Sequence, residues 1–260
     1  MFNLMLFLVL SAAVVYGQAR QVAAIAHRGE HLHHPENTAP AFAEAIRLGV
    51  DFFEVDVRTS ADGKLVLSHD STVDRCTSGT GKVAEMTFDQ LEALDAGIKS
   101  GFPNTRIPTF DEALDLAREG GIGVYVDVKD AGAAVLATHI ESHGMADRVV
   151  MYCGIGLGKQ LATLNPKLKI MPEASSVEHV TVVVEELHPF VVAFDARDFT
   201  APIIAVVKRA GAKIYVDRMG STDAPEGWQS AIDSGADGIQ TDRPGELVDY
   251  LRSKHYKKLK

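Results

Sequence analysis

The sequence predicts an α/β protein with a single-domain (β/α)8 barrel fold. From residue 20 onward, short apolar runs rich in β-branched residues alternate with amphipathic helical patterns. Many of these runs are apolar on both faces, as buried parallel strands are. The chain has 260 residues, 46% of them hydrophobic, which is enough for one large domain with a sizeable core. A doubly wound sheet is the alternative, but no glycine-rich phosphate loop follows the first strand.

Nine runs have strand character, one more than the barrel holds. In chain order they are VAAIAH, FFEVDV, KLVLSHD, GVYVDVK, RVVMYC, LKIMPE, FVVAFDA, KIYVDR and DGIQTD. Only TSADG separates the second run from the third, whereas a parallel crossover needs roughly a dozen residues or more. We therefore expect one of these two runs to be short, or the local topology to depart from the simple repeat.

Helical patterns lie between most of the runs, and several of them close on glycine. Glycine favours the C-terminal cap of a helix; the glycines in question are Gly49, Gly120, Gly144 and Gly211. Thr38, with Pro40 in the first turn, predicts where the first helix starts. Residues 71–107 have little strand character, so we expect an insertion over the face of the barrel that carries the active site.

The first 19 residues predict a signal peptide. They are apolar from Phe2 to Tyr16 with two exceptions, a run shorter than the roughly 20 residues that span a bilayer. Small residues follow, which predicts cleavage near residues 17–19. An uncleaved anchor is the alternative, since no Lys or Arg precedes the apolar run. We expect a secreted or periplasmic protein whose domain covers residues 20–260, with no stable membrane insertion after cleavage.

Charge and cysteine content limit the partners. The formal net charge of -9 disfavours nucleic-acid binding, because an acidic surface repels phosphate backbones. Two cysteines, Cys76 and Cys153, could form one disulfide in an oxidising compartment or remain separate thiols. The sequence leaves that choice open.

Polar side chains collect where the predicted strands end, which is where barrels of this kind carry their active sites. Five strands contribute them: His27 and Arg28, Glu54 and Asp56, His69 and Asp70, Asp127 and Lys129, and Gln240 and Asp242.

Three of these residues are carboxylates that suit a hard divalent cation. Glu54 and Asp56 are two apart on one strand, so their side chains point to one face. Asp127 arrives from a neighbouring strand and completes an oxygen-rich cluster suited to Mg²⁺ or Ca²⁺. Ion pairs with Arg or Lys are the alternative. Three acids at strand ends beside two histidines favour the metal site.

The remaining groups suit phosphate chemistry. His27 and His69 can supply an acid and a base, because imidazole titrates near neutral pH. Arg28 and Lys129, together with a metal, suit an anion whose charge builds up in the transition state.

The ordered motifs resemble the glycerophosphodiester phosphodiesterase family. They are AHRGEHLHHPENTAPAF, FFEVDVRTSADGKLVLSHDSTVDRCTSGTGKVAEMT, IPTFDEAL, VDVKD and DGIQTDRP. The resemblance implies a TIM barrel and metal-dependent hydrolysis of glycerophosphodiesters to an alcohol and sn-glycerol 3-phosphate. It implies that His27 and His69 are the general acid/base pair. It also implies divalent-metal ligands at Glu54, Asp56 and Asp127, and phosphate contacts at Arg28 and Lys129.

One departure from the family pattern affects the expected substrate. Many members carry Glu where this chain has Asp127, and Asp is also found there in sphingomyelinase D-type phospholipases. A lysophospholipase D or sphingomyelinase D-like reaction on lysophospholipids, with a cyclic phosphate, is therefore the alternative. Glu36, in PENT, could support the site or belong to a turn.

Two other classes of function compete with this interpretation. The pair His31 and His33 has the H-x-H spacing of zinc amidohydrolases, but no later histidine cluster completes a zinc site. His34 adds to the same loop, which we expect over the site. A non-catalytic barrel predicts loss of a catalytic residue, and all of them are present.

Overall fold

The computed structural model describes residues 20–259, so the predicted signal peptide lies outside the described residues. The strands are β1 (Ala23–Ala26), β2 (Phe52–Thr59), β3 (Leu65–Leu67), β4 (Gly123–Val128), β5 (Val149–Tyr152), β6 (Lys169–Met171), β7 (Val191–Phe194), β8 (Lys213–Asp217) and β9 (Gly238–Thr241). The α-helices are α1 (Ala39–Leu48), α2 (Phe88–Glu92), α3 (Phe110–Gly120), α4 (Ala133–Ser142), α5 (Ile155–Leu164), α6 (Val177–Leu187), α7 (Ala201–Arg209), α8 (Pro225–Ser234) and α9 (Pro244–Ser253).

Eight of the strands form a parallel barrel. Their order around it is β6-β5-β4-β2-β1-β9-β8-β7, and each paired neighbour runs parallel. The two end strands meet through a parallel bridge between Glu173 and Ala193, where the Ala193 amide donates to the Pro172 carbonyl at 2.9 Å. The nearly closed barrel confirms the predicted fold class.

The ninth strand resolves the surplus in the strand count. β3 has three residues and pairs antiparallel with β2, with Val57 opposite Leu67. Gly63 in the connecting turn has a φ of 84°, a left-handed conformation that costs glycine little. A turn this short permits a hairpin and not a parallel crossover. β3 is thus short, and its antiparallel pairing is a local departure from the simple repeat, so both expected alternatives are found.

The strands are apolar on both faces because both faces are covered. One set of alternate residues, including Ile25, Phe52 and Tyr125, fills the interior of the barrel. The other set packs against the helices together with large side chains such as Phe42 and Phe110. Burial on both sides accounts for the continuous apolar runs seen in the sequence.

Helix ends agree with the glycine pattern to within a residue. Gly49 caps α1 in the left-handed region, as predicted. In α3, Gly120 is the last helical residue and Gly121 takes the left-handed position, with a φ of 70°. Thr38 precedes α1, but its hydroxyl donates to the Pro35 carbonyl and does not cap the helix.

Residues 71–107 form α2 and two short turns of 3₁₀ helix around a small core that they share with β3. That core consists of buried apolar side chains: Val66, Val73, Val83, Leu91, Ala96 and Ile107. Within the described part of the chain, no helix is long and apolar enough to cross a bilayer. Cys76 and Cys153, both in that part, are separate thiols.

Candidate active site

His27 follows directly on β1 and is held on two sides. Its backbone amide donates to the Thr241 carbonyl at 3.1 Å, which continues the pairing with β9. Its Nδ1 lies 2.7 Å from an oxygen of Asp242, which leaves Nε2 for other chemistry. Burial lowers the pKa of His27 below the ordinary value, and the bond to Asp242 only partly opposes that effect. The ring is therefore neutral and oriented near neutral pH.

The two residues after His27 form a turn in the left-handed backbone region. Arg28 has a φ of 51° and Gly29 a φ of 80°. A β-carbon on Gly29 would lie 2.8 Å from the Ala41 backbone and side chain, so a larger residue does not fit. The turn directs the Arg28 backbone amide to an oxygen of Glu54 at 2.7 Å.

The three predicted carboxylate ligands converge. Glu54 and Asp56 on β2 and Asp127 on β4 each offer an oxygen, and these three atoms lie within 4.8 Å of one another. Glu54 and Asp56 are almost fully buried, at 2% and 1% exposure. Burial, followed by the charges of Asp56 and Asp127, raises the pKa of Glu54 well above its usual range. Buried carboxylates that lie this close together repel one another, and a cation next to them reduces this unfavourable energy.

Two cations face the cluster. Lys129 Nζ lies 2.7 Å from Asp127 Oδ2 and 3.1 Å from Asp56 Oδ1, and Arg28 Nε lies 3.4 Å from Asp56 Oδ2. Ion pairing and carboxylate convergence, which the sequence presented as alternatives, are both present. When all three carboxyl groups are ionised, the two cations leave one excess negative charge. The donor set is all oxygen and thus fits Mg²⁺ or Ca²⁺.

Asn37 holds Asp56 in place, a role that the sequence analysis missed. Its amide nitrogen donates to Asp56 Oδ2 at 2.7 Å, and its amide oxygen accepts from the Asp56 backbone at 3.1 Å. Asn37 has a φ of 55°, a conformation that asparagine tolerates better than most residues. The position of Asn37 in the PENT motif, next to Glu36, is the feature of the sequence that could have indicated this role.

His69 follows β3 and belongs to a polar network with the 71–107 segment. Its Nδ1 lies 2.8 Å from Asp70, whose other oxygen accepts from Arg75 Nε at 2.6 Å. Arg75 also makes two bonds to Glu36, at 2.7 and 2.8 Å. Arg75 is the main cause that holds the pKa of Asp70 well below its usual range, so that carboxylate stays ionised beside His69. Arg28 reaches Glu36 at 3.1 Å and joins the two halves of the site.

The other loop histidines do not form the zinc site considered from the sequence. His31 Nδ1 lies 2.7 Å from the His27 carbonyl oxygen, and its ring meets the His27 ring edge-on. His33 and His34 bind Glu30 instead, each at 2.8 Å. His31 and His33 therefore point to different partners.

Asp217 is a further acid at the end of a barrel strand, β8. Burial and the neighbouring acids Asp195 and Glu173 raise the pKa of Asp217 to about 7. Its apolar run KIYVDR predicted a strand, but the single acid in it carried no signal of function.

Comparison with known proteins agrees with the chemistry that the geometry of the site suggests. The model of the glycerophosphoryl diester phosphodiesterase family matches residues 27–153. A glycerophosphodiester phosphodiesterase of Caldanaerobacter subterraneus subsp. tengcongensis is 33% identical over 244 residues, which cover 88% of this chain and 97% of that protein. Glycerophosphodiester phosphodiesterase 1 of Bos taurus is 42% identical over 122 residues, covering 45% of this chain and 36% of that one. The crystal structure of glycerophosphodiester phosphodiesterase from Agrobacterium tumefaciens str. C58 matches with a TM-score of 0.79 and 29% identity, over 88% of this chain and 100% of that one.

Proposed function

Since this chain belongs to the glycerophosphodiester phosphodiesterase family, we propose that it hydrolyses glycerophosphodiesters to an alcohol and sn-glycerol 3-phosphate. The observation that carries the proposal is the cluster of Glu54, Asp56 and Asp127 beside the two cations Arg28 and Lys129. A phosphodiester is an anion, and it needs positive charge on its non-bridging oxygens as the reaction proceeds.

The three carboxylates would hold a divalent cation, which draws electron density from the phosphorus when it is bound. Lys129 and Arg28 lie against the same carboxylates, so they reach a phosphate group placed there. Arg28 is fixed by Glu36 as well, which orients its guanidinium. These residues bind and orient the substrate.

The two histidines divide the proton transfers. His27 is neutral near pH 7 and its Nδ1 is occupied by Asp242, so its Nε2 can accept a proton from the attacking hydroxyl. The attacking group is either water or the 2-hydroxyl of the glycerol. The latter expels the alcohol and gives a cyclic phosphate, which water must then open to yield sn-glycerol 3-phosphate. His69, paired with the ionised Asp70, donates a proton to the leaving alcohol.

Phosphorus NMR tests the proposal directly. Chain lacking residues 1–19 is mixed with glycerophosphocholine or glycerophosphoethanolamine, with Mg²⁺, Ca²⁺ or a chelator. We expect metal-dependent release of sn-glycerol 3-phosphate, lost in His27→Ala. His33→Ala serves as the matched control, because that side chain is exposed and bonded only to Glu30. Intact substrates in every sample would reject the proposal.

Lysophospholipids test the alternative reaction. Turnover of lysophosphatidylcholine with no turnover of the water-soluble diesters would assign the chain to the lysophospholipase D or sphingomyelinase D-like class. A cyclic phosphate signal would identify attack by the substrate's own hydroxyl.

We also propose that the chain is exported, with residues 1–19 as the cleaved signal peptide. The N-terminus of the mature protein, read by mass spectrometry, tests this. A start near residue 20 agrees with the proposal, and an intact Met1 contradicts it.

A further inference from the structure

A cavity of about 760 Å³ opens at the end of the barrel opposite the candidate active site. It is bounded by residues at the beginnings of the strands, among them Phe52, Lys169 and Lys213, and by the segment that ends the described chain. No residue of the catalytic network lines it. The cavity is thus separate from the site described above.

The lining is strongly cationic in a chain whose net charge is -9. Six basic residues border the cavity against two acids: Arg20, Arg148, Lys169, Lys213, Lys257 and Lys258 against Asp51 and Asp147. Among residues 20–259, none of the six forms an ion pair with a carboxylate side chain. Both oxygens of Asp51 are occupied by backbone amides, those of Ala24 and Leu259. With six basic residues against two acids, the lining of the cavity carries a surplus of positive charge.

Two of the lysines share one aromatic neighbour. The ammonium groups of Lys169 and Lys213 each lie 5.1 Å from the centre of the same Phe190 ring. Lys169 also donates to the Asp147 backbone carbonyl, which fixes its position. Burial lowers the pKa of Lys169; the charge of Asp147 partly opposes this shift, and the charge of Lys213 adds to it. Two ammonium groups near one aromatic ring repel each other, and an anion bound in the cavity would reduce that repulsion.

Tyr215 supplies an independent observation. It is 2% exposed and lines the cavity, yet its hydroxyl has no hydrogen-bond partner among the described residues. A buried hydroxyl without a partner is costly. An anionic oxygen placed next to it would accept a hydrogen bond from this hydroxyl.

We propose that this cavity, lined by Lys169, Lys213 and Tyr215, binds a phosphate-bearing anion carrying two or more negative charges. The ammonium groups supply the charge and the Tyr215 hydroxyl donates a directional hydrogen bond. The concave shape favours a small soluble anion over an extended surface. This inference does not depend on the catalytic proposal.

The test is a calorimetric titration with inorganic pyrophosphate in a chelator at low ionic strength. We expect binding to the wild-type chain and its loss in the double variant Lys169→Gln/Lys213→Gln. Tyr215→Phe removes only the hydroxyl and should weaken binding about tenfold. The control Lys64→Gln/Lys167→Gln makes the same charge change at exposed positions outside the cavity and should bind as the wild type does.

Two further variants and one probe separate the possible outcomes. Lys129→Gln in the catalytic network should keep pyrophosphate binding, while the cavity variants should keep phosphodiesterase activity. Vesicles of phosphatidylcholine with phosphatidic acid distinguish a lipid-borne phosphate, if the double variant no longer sediments with them. Binding that is lost in Lys129→Gln but kept in the cavity variants would overturn the inference, as would binding of neither probe. A catalytically inactive chain that binds as expected would leave it intact.

Discussion

At the scale of single residues, the proposed chemistry depends on how Asp242 and His31 act on the His27 ring. Asp242 stabilises the imidazolium form through a 2.7 Å contact, whereas burial, Arg28 and His31 oppose that form. The net effect lowers the pKa of His27, so the neutral form of the ring is favoured, and a neutral ring can act as a general base.

Replacing Asp242 by Asn should move the acidic limb of the kcat/KM profile to lower pH. The carboxylate raises the pKa of His27, so its removal lowers that pKa further and the ring stays neutral to a lower pH. The maximum rate should also fall, because the ring loses its orientation. A pH profile from 4 to 9 measures both effects, and His31→Ala should displace the same limb to higher pH. Equal profiles for the three proteins would exclude His27 as the base.

Asp127→Asn should weaken binding of Mg²⁺ or Ca²⁺ by about tenfold or more, because one charged ligand of three is lost. Calorimetric metal titration gives the affinity without reference to turnover. Asp89→Asn, an exposed acid on α2, is the control and should bind metal as the wild type does. An unchanged affinity in Asp127→Asn would remove this residue from the ligand set.

The residues that could be predicted are those with a local spacing on one strand and those at the ends of neighbouring parallel strands. Glu54 and Asp56 share a face because strand side chains alternate, and this was readable from the sequence. Asn37 lies 19 residues from its partner Asp56, and Arg75 lies 39 residues from Glu36. Such contacts depend on loop paths that have no periodic pattern, so the sequence did not reveal them.

At the scale of elements, α3 begins with a complete capping box. The Thr109 hydroxyl accepts from the Glu112 amide at 3.2 Å, and the Glu112 carboxylate accepts from the Thr109 amide at 2.9 Å. These two bonds satisfy backbone donors that a helix otherwise leaves open. α3 also packs Phe110 and Leu114 into the core outside the barrel.

Thr109→Ala should lower the free energy of unfolding by about 1 kcal/mol, because the cap is lost. Thr138→Ala is the matched control within α4, where the hydroxyl bonds to the carbonyl four residues earlier. It should be neutral or slightly stabilising, since alanine has the higher helix propensity. Urea denaturation measures both. Equal losses in the two variants would mean that the cap contributes nothing specific.

The ends of helices were predictable where a single glycine follows the helical pattern, because glycine favours the left-handed position after a helix. Gly49 ends α1 as the glycine pattern indicates. At α3 two glycines stand together, and the sequence could not say which of Gly120 and Gly121 takes the left-handed position. For β3, the short turn after β2 excluded a parallel crossover. The sequence therefore left two possibilities, a short run or a departure from the simple repeat, and could not choose between them.

At the scale of the whole molecule, the barrel was predictable because both faces of its strands are buried. The way it closes was not. Between β6 and β7 the pairing is reduced to a bridge at Glu173 and Ala193, whereas β2 and β4 pair over six residues. The sequence of β6, three residues long, gives no indication of this difference.

Amide hydrogen exchange should therefore be faster at Ala174 and Ala193 than along β4. Few ladder bonds must open at the β6–β7 join, so local opening costs less free energy there. Exchange followed by NMR or mass spectrometry provides the measurement. Protection at Ala193 equal to that of Val126 would show that the join is as stable as the rest of the sheet.

The two ends of the described chain run side by side. Gln21 forms a parallel bridge with Lys257, and the Lys257 amide donates to the Arg20 carbonyl at 3.1 Å. Both segments lie at the end of the barrel remote from His27. A purification tag, fluorescent fusion or surface tether joined directly to residue 20 or residue 259 would thus leave the barrel at the end remote from the substrate. Immobilised by its C-terminus, the enzyme would present its catalytic face to solution, and the basic cavity would face the support.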